Sequence, residues 1–262
     1  MVEVELMTRR FAEMGGTRRQ NLRERVGPSA PVVTYQSILS ALLLEMWDSQ
    51  FGISLVSGNV NTWTGQIAGR VQTAPAPGNR PPYGVDTGFF LGKSLPLFAN
   101  PSSLQILGGS ALYVAGTRPW WCAIGRFTAT MGAATQTILS TLNTAQGTLN
   151  PSISRTTAGS ASGFYFPGTN TVGPTIDQAV HMIEVFSRVS DTLAVNSLDG
   201  VDTVGASLAS GVAGDCNNIY FGNDRGSQYA PYAVSTILCC SVAPSPTQRA
   251  AVLALARSSN GF

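Results

Sequence analysis

The acidic residues are the first candidates for catalysis in this chain, but their spacing does not favour a catalytic pair. Hydrolysis of a glycosidic bond uses two carboxylates that flank the bond, which alternate positions on one strand would supply. After Arg25 no two acidic residues stand two positions apart, and Glu184 lies between Ile183 and Val185. We predict that Glu184 is a sheet-surface charge beside Arg188, that the chain has no catalytic residues, and that it is not an enzyme.

The single histidine and the acids on predicted turns suggest little further chemistry. His181 has Asp177 nearby, but the chain contains no Gly-x-Ser-x-Gly elbow to complete a Ser-His-Asp set. Oxygen ligands suited to calcium occur on predicted turns, namely Asp199, Asp202, Asp215, Asn223 and Asp224. Because Asp and Asn are favoured in turns in any case, we predict no bound metal and no other cofactor.

Aromatic side chains could stack on sugar rings if they were exposed. The candidates by residue type are Trp47, Trp63, Tyr83, Trp120 and Trp121. A sandwich needs large inward side chains, so we predict that most of them belong to the core. Successive residues on a strand point to opposite faces, so at most one of Trp120 and Trp121 can easily be exposed.

Four cysteines occur in the chain, Cys122, Cys216, Cys239 and Cys240. A disulfide framework is typical of short secreted chains, and this chain is neither short nor expected to be secreted. We therefore predict buried free thiols.

Alternating apolar residues and turn signals predict a body made of strands. Strands are predicted at Val60–Thr64, Ser110–Gly116, Trp120–Thr130, Gln178–Val189, Ile219–Gly222 and Tyr232–Val242. Asp199 and Gly200 suit the turn of a hairpin, and Ser245 before Pro246 suits the N-cap of a closing helix. Two segments stay open: Thr34–Glu45 suits a short helix or an extended lead-in, and Thr141–Ser162 a long loop or irregular strands.

Charge is scarce in the body and concentrated at the beginning of the chain. Charged residues make up 11% of the total, against about a quarter in ordinary globular proteins. The first 25 residues carry six arginines, Arg9, Arg10, Arg18, Arg19, Arg23 and Arg25. After Arg25 acidic and basic residues are equal in number, so the formal net charge of +2 lies in this leader.

We predict that residues 1–30 are an arm that orders on a protein partner, followed by one β-sandwich over residues 31–262. The arm could neutralise only a few phosphates, which argues against nucleic acid as a partner. Residues 1–25 contain no apolar run of signal-peptide length, and Ile38–Leu44 is too short to cross a bilayer. The sequence thus predicts synthesis in a host cytoplasm without a signal peptide, and no membrane partner.

The order of these motifs resembles the concanavalin A-like lectin and glucanase fold in its laminin-G-like form, from about Val32 to Phe262. The matching segments are Leu44–Asp48, Gly58–Trp63, Asn79–Tyr83, Ala194–Gly200, Ile219–Asp224 and Tyr232–Gly261. Glu45 and Met46 depart from the family's first motif. The resemblance implies an all-β, two-sheet antiparallel jelly-roll sandwich with a short C-terminal helix.

This fold serves lectins, glycosidases and structural modules alike, and many phage and prophage virion proteins carry it. With the arm and the charge-poor body, the resemblance predicts a structural protein of a bacteriophage or phage-like particle, in its capsid, neck, tail or fibre. It would lie in the virion and dock through the arm onto other virion proteins. A carbohydrate-binding host-adhesion module is the alternative, and a glycoside hydrolase is the third candidate. A homo-oligomer and a glycan ligand stay open.

Overall fold

Strands make up most of the described part of the chain. The computed structural model describes residues 33–107, 117–130, 135–143, 148–155, 161–166, 169–187, 193–207, 216, 218–223 and 228–262. The predicted arm with its six arginines and the predicted strand Ser110–Gly116 lie outside these residues. Both therefore stay predictions, as does the boundary between the arm and the body.

The elements of the described residues follow one another as listed in chain order: α1 (Tyr35–Leu39), a 3-10 helix (Ser40–Leu42), β1 (Leu43–Asp48), β2 (Ile53–Val56), β3 (Asn59–Thr64), β4 (Val71–Thr73), a 3-10 helix (Pro77–Asn79), β5 (Tyr83–Val85), a 3-10 helix (Phe90–Gly92), β6 (Ser94–Phe98), β7 (Leu104–Ile106), β8 (Trp120–Phe127), β9 (Gln136–Asn143), β10 (Thr148–Arg155), β11 (Ala161–Phe166), β12 (Thr169–Thr175), β13 (His181–Ser187), β14 (Leu193–Leu198), β15 (Val201–Ser207), β16 (Asn218–Phe221), β17 (Tyr232–Cys240) and α2 (Pro246–Asn260).

These strands pair antiparallel in two stacked sheets. The first, which we call the covered sheet, has the order β15–β14–β13–β8–β17–β6–β5, and β1 also pairs with β17. The second, which we call the open sheet, has the order β12–β11–β10–β9–β16–β7–β4–β3–β2. The predicted two-sheet antiparallel sandwich with a short C-terminal helix is confirmed.

The two central strands of the covered sheet are apolar on both faces. Every residue of β17 is buried, and so is every residue of β8 except Arg126. Cys239 packs in the core between the sheets and Cys240 in the core outside the covered sheet, and Trp121 and Trp120 divide in the same way. A strand with two apolar faces needs cover on both sides, so this sheet requires an outer layer.

The core between the sheets is built around aromatic side chains. The rings of Trp47 and Trp63 both meet Phe221 edge-on, with centroids 5.1 and 5.9 Å apart. Each indole nitrogen donates to a backbone oxygen, Trp63 to Asp48 at 3.1 Å and Trp47 to Arg70 at 3.3 Å. All four cysteines are buried and free, as predicted.

Two helices form the outer layer of the covered sheet. Side chains of α1 and α2 join the outer core of that sheet, with Leu39 and Val252 fully buried. The predicted N-cap of α2 is confirmed as a capping box: Ser245 Oγ accepts from the Gln248 backbone, and the Gln248 side chain accepts from the Ser245 backbone. Gly261 ends the helix in the left-handed conformation, with φ at 75°.

The sequence predicts a buried side of α2 made of Ala251, Leu253, Leu255 and Ala256, and the structure buries a different set. The buried residues of α2 are Arg249, Val252, Ala256 and Asn260. These positions stand three or four apart, the spacing of one helix face. An arginine therefore occupies the buried face of the closing helix. No helix of the described residues is long and apolar enough to cross a membrane.

The structure also resolves the segments that the sequence left open. Thr34–Glu45 contains a helical turn, a 3-10 helix and the beginning of β1. In Thr141–Ser162, β9 ends, β10 lies entirely within the segment, and β11 begins. The predicted hairpin joins β14 to β15, and both turn residues have positive φ, 53° at Asp199 and 84° at Gly200. That is the geometry for which Asp-Gly is favoured.

The connection between β3 and β4 wraps around a buried carboxylate. Glu45 is fully buried and accepts from the backbone nitrogens of Ile67 at 2.8 Å, Ala68 at 3.2 Å and Arg70 at 3.1 Å. A Cβ at Gly65 would lie 2.5 and 2.7 Å from the two carboxylate oxygens. The carboxylate therefore fixes this loop, and the loop fixes β4 beside β3.

We expect Gly65→Ala to lower the free energy of unfolding by about 1–3 kcal/mol, because the methyl group must displace the Glu45 carboxylate. Gly78→Ala is the matched control, since a Cβ at that position meets nothing within 4 Å. Urea unfolding followed by circular dichroism measures both. Equal stability of the two variants would contradict the packing described here.

Candidate functional site

Most of the aromatic residues that the sequence suggested for sugar stacking are buried and cannot contact a ligand. All four tryptophans are fully buried, which confirms their assignment to the core. Tyr83 is partly buried, and its hydroxyl donates to the backbone oxygen of Ser49 at 2.9 Å. Stacking on a tryptophan is therefore not the basis of a site in this sandwich.

The prediction that Glu184 is a sheet-surface charge was wrong. Its carboxylate is fully buried, accepts from Trp120 Nε1 at 3.0 Å, and pairs with Arg249 Nε at 2.6 Å and Nη2 at 2.9 Å. The proposed neighbour Arg188 lies outside the described residues. The sequence reading failed because α2, more than sixty residues further on, covers this face of β13 and supplies the cation.

Arg249 links two carboxylates across the outer face of the covered sheet. Besides Glu184 it pairs with Asp202 at 2.6 Å, and its guanidinium lies 4.3 Å from the ring centroid of Phe186. Burial acts to lower the pKa of Arg249, but its hydrogen bonds and charge interactions with the two carboxylates outweigh burial and raise it. The guanidinium stays charged, and the cluster fastens α2 to β13 and β15.

We expect Arg249→Met to lower the free energy of unfolding by about 3–5 kcal/mol, because it leaves the Glu184 charge buried without a partner. Combining it with Glu184→Gln should recover part of that loss by removing the charge. The exposed Arg257 on the same helix is the control, and Arg257→Met should stay within about 0.5 kcal/mol of the wild type. Equal losses at Arg249 and Arg257 in urea unfolding would refute the ion-pair role.

A second charged cluster holds the only histidine between two aspartates. His181 Nδ1 lies 2.6 Å from Asp199 Oδ2, and Nε2 lies 2.9 Å from Asp177 Oδ1. Burial alone would lower the pKa of His181, but the hydrogen bonds and charges of both aspartates raise it. The pKa of Asp177 is lowered, chiefly by the hydrogen bond from the Ala179 backbone and then by His181. Asp199 also accepts from the Met182 nitrogen at 2.8 Å, so this cluster ties the β14–β15 turn to β13.

The aspartates considered as calcium ligands have other partners where the structure describes them. Asp199 binds His181, and Asp202 binds Arg249. Asp215 and Asp224 lie outside the described residues. Within the described residues no group of three His, Cys, Asp or Glu side chains is arranged to hold a metal ion.

The His181 cluster should make stability depend on pH with a definite sign. A raised folded-state pKa stabilises the fold fully below the unfolded value of about 6.5, and this contribution is lost as pH rises through the folded pKa. We expect the stability gap between wild type and His181→Gln to be larger near pH 5 than near about pH 9. Urea unfolding at both pH values measures the gap. Ser258→Ala, on the exposed side of α2, should show a gap that does not change with pH.

The outer face of the open sheet carries a continuous cross-strand row of polar side chains, which we call the polar row. Strand register brings its members side by side in the order Ser54, Thr62, Thr73, Gln105, Tyr220, Ser140 and Ser152. Adjacent members stand on neighbouring strands from β2 to β10. Every member carries a hydroxyl or an amide, each of which can both donate and accept hydrogen bonds.

The polar row points away from the core between the sheets. Its neighbours along the strands, such as Trp63, Leu104 and Phe221, belong to that core, and successive strand residues face opposite ways. Ser54 and Thr73 are exposed, whereas Tyr220, Ser140 and Ser152 are buried. Among the described residues no helix packs on this face. The row is therefore accessible at its β2 to β7 end.

Two further groups beside the polar row have unused hydrogen-bonding capacity. Arg80 donates through Nε to Asn61 Oδ1 at 2.9 Å, next to Thr62, and forms no ion pair with a described residue. Ser140 Oγ donates to the backbone oxygen of Asn223 at 3.1 Å, and the buried side-chain oxygen of Asn223 has no hydrogen-bond partner. Buried polar atoms without partners are uncommon, so the Asn223 oxygen marks a place for a donor.

Sequence considerations did not find the polar row. Each member is an ordinary polar residue of a strand, and the members come from segments as far apart in the chain as Ser54 and Tyr220. Only strand order and register place them in one line. The sole sequence signal was Asn223, which was considered as a calcium ligand and lies at the buried part of the row.

No protein-family model matches the chain, and no curated protein matches it. Among solved structures it is similar to Trypanosoma rangeli sialidase in complex with 2,3-difluorosialic acid, a covalent intermediate. The TM-score is 0.57 at 10% identity over 86% of this chain and 35% of the sialidase. A second structure of Trypanosoma rangeli sialidase gives 0.52 at 12% identity over 90% and 37%. The CBM40 of the Ruminococcus gnavus IT-sialidase gives 0.42 at 14% identity over 53% and 84%.

At these identities the likeness to the two Trypanosoma rangeli structures shows the fold alone, and that fold is compatible with a concanavalin A-like sandwich. The chain spans 35% of the first sialidase chain, so it corresponds in size to a part of that enzyme. The prediction that the chain is not an enzyme is contradicted by this comparison, because the proteins that share its fold include a sialidase captured as a covalent intermediate. Poor carboxylate spacing on single strands was the wrong criterion, since acidic groups in a folded chain meet across strands, as Glu184 and Asp202 do around Arg249.

Proposed function

We propose that this chain is a carbohydrate-binding domain and that the open face, the outer face of the open sheet, receives the glycan. The polar row is the observation that carries the proposal. Sugar hydroxyls donate and accept hydrogen bonds in close succession, and a line of hydroxyl and amide side chains can match them. A small number of polar groups of this kind fix the orientation of the ligand in small-molecule sites.

Only one of the two sheets is covered by helices, and this difference also supports the open face as the ligand site. The outer side of the covered sheet is occupied by α1, α2 and the Arg249 cluster, and its central strands β8 and β17 are buried apart from Arg126. The open sheet presents exposed Ser54 and Thr73 with half-buried Gln105. Arg80 adds charged donors at the accessible end of the row, where a sugar carboxylate could pair with them.

The similarity to sialidase structures supports a glycan as the ligand class. One of these structures holds 2,3-difluorosialic acid, so this sandwich occurs in a protein that acts on a sugar. The comparisons favour this alternative over a purely structural role in a virion. Placement in a phage particle and docking through residues 1–30 stay predictions from the sequence, and a glycan-binding domain on such a particle would serve adhesion to a host.

The test is a glycan array probed with the full-length chain, followed by calorimetry on the best ligands. Neutral and acidic glycans, sialyllactose among them, should both be present. We expect one class of glycan to bind. The double variant Thr73→Ala/Gln105→Ala should weaken its binding by about tenfold or more, because each lost hydrogen bond to a bound sugar contributes on the order of 1 kcal/mol.

The matched control is Thr87→Ala, an exposed threonine in the loop after β5 and away from the polar row. It should leave affinity unchanged. Incubating each bound glycan with the chain and analysing it for cleavage products tells binding from hydrolysis in the same experiment. An array with no ligand, or an affinity that the double variant does not alter, would refute the proposed face.

A further inference from the structure

Five strands of the described residues have only one strand partner, and they differ in how they are protected against pairing with another chain. Natural edge strands avoid pairing through charged side chains, proline, bulges or short length. β1 carries Glu45 and Asp48, β15 carries Asp202, β12 carries Pro174, and β5 lies between Pro82 and Asp86. β2 has no such residue. From Phe51 to Gly69 the chain contains neither a charged residue nor a proline.

β2 also has exposed apolar side chains on and beside it. Leu55 is 45% exposed and Val56 is 41% exposed, and Phe51 just before the strand is 61% exposed. Its one strand partner among the described residues is β3. The irregularity in that pairing places the additional residue, Asn61, in β3, so the outer edge of β2 is regular.

We propose that β2 pairs with β2 of a second copy of this chain, antiparallel across a twofold axis, to join two open sheets into one. A twofold contact places the same segment on both sides of the axis, so a charge near the axis would meet a like charge. The absence of charge from Phe51 to Gly69 removes that repulsion and makes the edge complementary to itself. The free backbone groups supply hydrogen bonds, and the exposed Leu55 and Val56 supply apolar contact.

The size of the contact sets its expected strength. Four residues per strand form a small interface, and small interfaces give weak, reversible association. We therefore expect a monomer–dimer equilibrium that depends on concentration. This inference does not depend on the proposed function, because it is argued from the charge and exposure of the β2 edge; the edge and the polar row share only Ser54.

Sedimentation velocity of the full-length chain over a range of concentrations tests the pairing. The wild type should form dimers as concentration rises, and Leu55→Lys should remain monomeric, because it places like charges across the axis. Val85→Lys is the matched control, since Val85 is 50% exposed on the terminal strand β5 of the other sheet. It should dimerise like the wild type. Circular dichroism checks that all variants are folded.

A charge-reversed pair makes the test specific for this strand. Leu55→Glu alone should also be monomeric, whereas an equal mixture of Leu55→Lys and Leu55→Glu should recover dimers. A wild type that is monomeric at every concentration would overturn the proposal. So would a dimer that survives Leu55→Lys and Leu55→Glu, because that dimer would use another surface, such as residues 1–30.

Discussion

The architecture follows from the apolar character of both faces of β8 and β17. A strand with two apolar faces cannot lie at the surface, so the covered sheet needs the open sheet on one side and helices on the other. The chain supplies the helices from its two ends, α1 before β1 and α2 after β17. One sheet is thereby enclosed, and the other keeps an outer face that is accessible at its β2 to β7 end. The location of a ligand face is thus a consequence of how the core is covered.

Enclosing the covered sheet brings charged groups into the interior, and the structure compensates each of them. Glu184 and Arg249 neutralise one another under α2, and Glu45 is neutralised by backbone donors of the β3–β4 loop with Arg70 nearby. An uncompensated charge at either place would be far more costly than the small net gain of forming the pair. These groups therefore act as positional constraints. The first fixes the helix layer and the second fixes β4, which carries Thr73 of the polar row.

Local sequence signals predicted the features that depend on neighbouring residues. The N-cap of α2 and the Asp199–Gly200 turn both follow from short-range rules and are confirmed. The role of Glu184 could not be predicted in this way, because its partners lie 64 and 65 positions away. The polar row could not be predicted from the sequence for the same reason. Residues that are unremarkable on single strands become a site only when strand order sets them in line.

The polar row and the β2 edge meet at Ser54, and this links the proposed function to the inferred dimer. Ser54 is the outermost member of the row and lies on the strand that would pair across the twofold axis. Joining two β2 strands would therefore continue the row of one copy into the row of the other. Two weak glycan sites held on one sheet bind a repeating polysaccharide more tightly than either site alone, since the second contact becomes intramolecular. If the open face binds glycans, an unprotected edge at β2 is then an advantage, because it converts a modest single-site affinity into avidity for extended chains.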